Sequence, residues 1–333
     1  MSKCSSHFVR IPVEIWFALA MVTIAFGLSL ALDLPLVLPS SQSTSFVGIH
    51  YLLPILGVIG WSIFAFFGQN RRRTWTFIIA LPCYMLVLWA HFSIKLWAPL
   101  INPHLYDSAF WEVDRILRPL VYGMFNARMA MSYIFPIDSN FYMLAFIAMF
   151  YISFSYHAIF TPLIFRNLFL SALFFQGLGA LAYLPFPALG PFLYEAGLDS
   201  QATYAQHQML QTHGHIVEQG RTWLAAHGGR YFTAGLGAMP SLHSGGAFLF
   251  FTFAWRHARL LVPFYAVIVA FILTAAVATR WHYIIDLPFG LALGWLSVVL
   301  ADRLCAVSEP EIQGLAARCP VSIAGPHPTE TLA

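Results

Sequence analysis

Gly237-Ala238-Met239-Pro240-Ser241-Leu242-His243-Ser244-Gly245-Gly246 and Thr279-Arg280-Trp281-His282-Tyr283-Ile284-Ile285-Asp286-Leu287-Pro288-Phe289-Gly290 are two polar islands in otherwise hydrocarbon-like sequence. Each stands where a long apolar run begins. Together they hold two imidazoles, one carboxylate and one guanidinium. Ionisable groups at membrane depth are costly, so their default reading is functional. Because the islands belong to spans that start on the same side, they predict a reaction centre at one end of a helix bundle.

The composition names the solvent. The chain is 59% hydrophobic and 9% charged, with 31 Phe, 10 Trp and 14 Tyr in 333 residues. A water-facing surface needs roughly a quarter of its residues charged, so the sequence predicts an all-α, polytopic membrane protein. The net charge of +3 is spread among the spans and gives no case for nucleic acid. Cys4, Cys83, Cys305 and Cys319 form no paired framework, and no structural disulfide is expected.

Apolar runs of roughly 17–25 residues place about eight transmembrane helices: 12–35, 46–68, 75–98, 140–160, 165–186, 243–257, 259–279 and 283–303. The first lacks a small-residue cleavage site and carries Glu14 near its start, so it reads as a retained anchor. The whole chain, 1–333, reads as a single integral membrane domain, with 306–333 as a disordered cytoplasmic tail. Arg71-Arg72-Arg73, Arg166, Arg256 and Arg259 lie in short connections, and Lys3, Arg10, Arg303 and Arg318 flank the ends. They share one face if both termini are cytoplasmic, which puts both islands on the non-cytoplasmic face. The two long loops on that face, 99–139 and 187–242, are expected to hold an amphipathic interfacial helix over 104–130 and a helix over 199–227. Between them, Pro185-Phe186-Pro187-Ala188-Leu189-Gly190-Pro191 stops the fifth span in a bent segment.

The islands have definite chemistry. Ser241 is placed to N-cap a helix whose free N–H groups and dipole would hold an anion, and Gly245-Gly246 would admit a ligand to the backbone beside Ser244. His282 and Asp286, four apart, would share a helical face, the carboxylate fixing the imidazole tautomer. Arg280 would clamp an anion with its forked donors. An anion site beside an oriented histidine and a second histidine describes phosphoryl transfer through a phosphohistidine. Other histidines have simpler readings. His91, His157 and His257 suit packing, and His207, His213, His215 and His227 suit a solvated loop, since no Cys or carboxylate follows at ligand spacing. Asp107 and Asp114 read as a polar helix face.

Pro-Ser-Leu-His-Ser before one span and His-Tyr-x-x-Asp-x-x-x-Gly at the start of the next but one resemble the type 2 phosphatidic acid phosphatase superfamily. The closer likeness is to its branch of inositol phosphorylceramide synthases, which also has a proline-rich turn before the first histidine block. The resemblance covers roughly 140–305 and implies a six-helix core. It also implies His282 as nucleophile, Asp286 orienting it, His243 protonating the leaving oxygen, and no metal or cofactor. The donor would be a phospholipid and the acceptor a lipid alcohol, as in sphingolipid headgroup transfer, or water. The superfamily's Lys-x6-Arg-Pro block is missing. Arg118-Pro119 has Trp111 at the lysine position and reads as a chance match. Ala276 stands where the third block has its arginine, with Arg280 nearer the nucleophile. Fewer cations favour a singly charged diester, and so a transferase over a hydrolase of lipid phosphates or polyprenyl pyrophosphates. A reading of another class, an ion-coupled transporter, would use the same His and Asp residues.

Overall fold

The computed structural model describes residues 12–40, 71–134 and 139–318. Without water in a bilayer core, backbone polar groups must be satisfied within the segment, and helices do this. The described residues are accordingly all helix and turn. The helices are α1 (Val13–Ala31), α2 (Arg71–Ile101), α3 (Asp107–Ile116), α4 (Arg118–Ile134), α5 (Ser139–Ile159), α6 (Pro162–Ala182), α7 (Ser200–His227), α8 (Leu242–His257), α9 (Val262–Ala278) and α10 (Asp286–Arg318). Short 3-10 turns occupy Pro191–Leu193 and Arg259–Leu261.

Six segments are long and apolar enough to cross a membrane: Val13–Ala31, Ile78–Ile101, Phe141–Ile159, Pro162–Ala182, Arg259–Ala278 and Asp286–Cys305. The chain is a multi-pass helical membrane protein. The expected span at 243–257 is α8, whose 16 residues reach about 24 Å. The expected span at 46–68 lies outside the described residues. The last helix runs on to Arg318, so 306–318 extend α10 instead of starting a tail. Cys83 is a buried thiol.

The bundle is organised around α6, α8 and α10. The α10 helix packs along both of the others, α2 lies against α6, and α9 lies against α8 and α4. Glycine sets the closeness of the α8–α10 crossing. A Cβ on Gly245 would fall on the Gly290 carbonyl, one on Gly290 would fall on the Ser241 carbonyl, and one on Gly294 would meet the Gly245 carbonyl oxygen at 2.5 Å. The two backbones therefore touch, as small residues allow in membrane helix pairs. Gly246 packs under Phe146 and Phe175. Gly245 and Gly246 thus serve helix packing, and the Gly245 N–H is already taken by the Ser241 carbonyl at 3.0 Å. The expected backbone access for a ligand at Gly245 is closed.

Of two further expectations, one is revised and one holds. The stretch 104–130 is two helices broken at Leu117, with Asp107 and Asp114 pointing inward while Glu112, Ile116, Leu120 and Tyr122 point outward. The helix expected over 199–227 is α7, capped by Asp199, whose Oδ1 accepts from the Gln201 and Ala202 N–H groups at 2.9 and 3.0 Å.

The glycine crossing can be tested directly. Gly245→Val or Gly290→Val is expected to destabilise the detergent-solubilised protein by roughly 2 kcal/mol or more, the usual scale of overpacking. Gly27→Ala, where nothing lies within 4 Å of an added Cβ, should leave the melting temperature unchanged.

Candidate active site

Both islands lie at one end of the bundle, where α8 and α10 begin and α6 and α9 finish. The opposite end holds the ion pairs Glu14–Arg166 and Arg256–Asp302, at 2.6 and 2.8 Å. At the island end the chain leaves helical geometry three times, in the proline-rich turn, before α8 and before α10. These non-helical stretches bond to one another. Ala238 N–H donates to the Ala188 carbonyl at 2.7 Å, Phe192 N–H to the Arg280 carbonyl at 3.2 Å, and Ser241 N–H to the Asp286 carbonyl at 3.2 Å.

His282 stands in the turn before α10, with Nδ1 3.4 Å from Asp286 Oδ2. The same oxygen accepts the Tyr283 N–H at 2.8 Å. Asp286 is the first residue of its helix, so a turn brings the pair together and not a shared helical face. Asp286 is fully buried, and His282 keeps a small exposure. The imidazole is therefore held through Nδ1, which leaves Nε2 outside that contact.

His243 lies in the first turn of α8, edge-on to Tyr142 and Phe146 with ring centroids 5.4 and 4.9 Å away. It is close enough to His282 for their charges to interact. Ser241 holds the N-cap position, but its hydroxyl donates to Ser244 Oγ at 2.9 Å instead of capping a backbone N–H. Both serines are fully buried beneath His243.

Arg280 is placed differently from its expected role as anion clamp. Its side chain is fully buried, with Nη1 3.0 Å from Asp114 Oδ2 and Nη2 3.1 Å from Glu195 Oε2. Glu195 is also gripped by Arg118, Nη1 donating at 2.9 Å. Two guanidiniums thus face two carboxylates, with the Trp111 ring 5.3 Å from Arg280. Burial raises the Glu195 carboxyl, but the Arg118 hydrogen bond and the two arginine charges outweigh it and hold the group below its ordinary range. Burial pushes Asp114 upward, against the pull of the Ile284 N–H and Arg280. Arg280 also has φ 60, a left-handed backbone that non-glycine residues seldom adopt. Its charge is paired with two carboxylates, Nη1 hydrogen-bonds Asp114, and Nε and Nη2 are buried without a hydrogen bond. Arg118, set aside as a chance match, is tied into the same network.

Reading residues singly missed Asp107 and Asp114. They are seven apart on α3, two turns along one face, and both are buried. Asp107 accepts from the Leu189 and Gly190 N–H groups at 3.0 and 2.8 Å and from the Tyr283 hydroxyl at 2.8 Å. Burial and the Asp107 charge push the Tyr283 phenol far above its ordinary range, so it remains a donor. Asp114 accepts the Ile284 N–H at 2.8 Å. Gln206 on α7 was also unforeseen and donates to the Thr279 carbonyl at 2.7 Å. The seven-residue spacing of the two aspartates was the available signal.

His91, His157, His215 and His227 have local partners. His91 Nδ1 is 2.8 Å from the Gln176 carbonyl oxygen, His157 Nδ1 is 2.5 Å from Thr161 Oγ1, and His215 and His227 stack on Trp223. Among the described residues no three His, Cys, Asp or Glu side chains gather to hold a metal.

The PAP2 superfamily model matches residues 118–300, more than half of the chain and both islands. The chain belongs to the PAP2 superfamily. The match begins at Arg118, earlier than the motif resemblance, and takes in the α4 helix that packs on α9. No curated protein and no solved structure matches the chain. Membership in the PAP2 superfamily supports phosphatase or phosphotransferase chemistry on lipid-type substrates, in preference to ion-coupled transport.

The ion-pair network makes its own test. Removing one partner of a buried pair strands the other charge and costs about 3–5 kcal/mol. Arg280→Ala and Asp114→Ala should each lower the melting temperature markedly, while the exposed-pair variant Arg115→Ala should not.

Proposed function

We propose that this PAP2 superfamily protein transfers a phosphorylated headgroup between membrane lipids through a phosphohistidine at His282. The observation that carries the proposal is the His282–Asp286 contact, which leaves Nε2 free at the helix-end cluster that also contains His243. In the first half-reaction Nε2 attacks the phosphorus of a phospholipid diester. The P–N bond forms, the P–O bond to the lipid alcohol breaks, and His243 gives its proton to the departing oxygen. In the second, His243 takes the proton of an acceptor hydroxyl, which attacks phosphorus and releases His282. Asp286 holds the imidazole in the reactive tautomer and stabilises its charge.

Transfer is favoured over hydrolysis of a phosphate monoester by the charge balance. Arg280 and Arg118 are matched by Asp114 and Glu195, so they bring little free positive charge to a substrate. A singly charged diester fits that balance better than a doubly charged monoester. The inositol phosphorylceramide synthase-like motif order points the same way, with a lipid alcohol such as ceramide as acceptor. Ser241 and Ser244 contribute by fixing the start of α8 under His243.

In proteoliposomes with a phosphatidylinositol donor and a ceramide acceptor, His282→Ala and Asp286→Ala should each abolish headgroup transfer. His243→Ala should reduce it by about 10²–10⁴-fold, the usual scale of general acid–base catalysis. Turnover persisting in His282→Ala would sink the assignment. Product appearing only as free headgroup phosphate, or only from monoester lipids, would move the protein to the hydrolases.

The same reading puts both termini in the cytoplasm and the site on the opposite face. In a background without native cysteines, Leu260→Cys should react with an impermeant thiol reagent only from the cytoplasmic side. Glu218→Cys on α7 should react only from the other side. Reversed labelling would invert the topology.

A further inference from the structure

A phosphoester bound between His282 and His243 brings at least one negative charge into a site walled by aromatic rings. The arginines nearest the nucleophile do not meet it, because Arg280 and Arg118 are already paired with Asp114 and Glu195. A different cation lies within electrostatic reach of His243. Lys95 lies near the end of α2, outside the residues the superfamily model matches. Its Nζ sits 4.7 Å from the centre of the Tyr183 ring. Its charge acts on His243 and on His91. Tyr183 in turn senses the charge of Asp286 and packs against the position of Gly237 in the first island. The lysine therefore belongs to the cluster of both islands.

No carboxylate, hydroxyl or carbonyl among the described residues pairs with Lys95, and its one contact of note is the π face of Tyr183. This sets it apart from Glu14, Arg166, Asp114 and Arg280, each of which has an opposite charge in reach. A lysine within a membrane helix is expensive unless something answers its charge. The aromatic face supplies part of that. The remainder fits an anion that arrives with the substrate.

We propose that Lys95 is the phosphate-binding cation of this site, donating from Nζ to a non-bridging oxygen of the lipid phosphoester while Tyr183 holds the ammonium in place. A helix outside the superfamily region would then complete the anion site, in the absence of a Lys-x6-Arg-Pro block. A single ammonium matches a single diester charge, and the assignment rests on the phosphotransfer reading for the identity of its ligand.

The test uses the purified full chain in detergent and reads anion binding separately from turnover. Inorganic phosphate is titrated against thermal stability for the wild type, Lys95→Met, Lys95→Arg and His282→Ala, and donor KM and kcat are measured in proteoliposomes. The wild type and His282→Ala should be stabilised at similar phosphate concentrations. Lys95→Met should need at least tenfold more phosphate and show a comparable rise in KM with a smaller change in kcat, and Lys95→Arg should recover much of both. Phosphate stabilisation that is absent from the wild type, or unaltered in Lys95→Met, overturns the proposal. If Lys95→Met does not fold, Lys95→Gln takes its place, and unaltered phosphate stabilisation in that folded variant also overturns the proposal. Lys95-dependent phosphate binding without any lipid turnover would leave the anion site standing and remove the phosphotransfer reading.

Discussion

Two buried carboxylates on one short helix allow this bundle to have an active end. Where the chain abandons helical geometry among apolar neighbours, its N–H groups lose their internal partners, and each would be costly if left unmade. Asp107 takes the N–H groups of Leu189 and Gly190 and the Tyr283 hydroxyl, and Asp114 takes the Ile284 N–H and the Arg280 guanidinium. The proline-rich turn and the second island are thereby fastened to α3, and the island's turn sets His282 against Asp286. Losing either aspartate would affect the proposed nucleophile without touching it.

The glycine crossing of α8 and α10 does the corresponding work for the other histidine. Because the Gly245, Gly290 and Ser241 backbones touch, the start of α8 is carried up to the start of α10. His243 rides on that helix start and His282 on the turn before α10. Their separation is therefore set by rigid helix contact and not by a flexible loop, as acid–base partners sharing one phosphorus would require.

Charge is distributed with similar economy. The arginines nearest His282 are neutralised in a chain running Asp114, Arg280, Glu195, Arg118, which stiffens the second island at positive φ. The cations used for shape are thus distinct from the one proposed for substrate. A diester-selective site would follow from that separation, since each additional free cation would raise the affinity for doubly charged monoesters.

Much of this was legible in the sequence. Composition and apolar run length determined a helical membrane protein, because a bilayer tolerates few alternatives. The islands marked His243, His282 and Asp286 as candidates, because such groups are costly at membrane depth. Several contacts were decided only by tertiary structure. Residue type shows that Arg280 can grip an anion, but not that Asp114, 166 residues away, supplies it. The pair Gly245-Gly246 shows that something comes close, but whether it is a ligand or the backbone of α10 depends on how the helices cross. A lone lysine in an apolar run looks like an accident until folding sets Lys95 over Tyr183 and within electrostatic reach of His243. Local pattern determines which groups must be answered, and only the packed fold decides what answers them, because the partners come from distant parts of the chain.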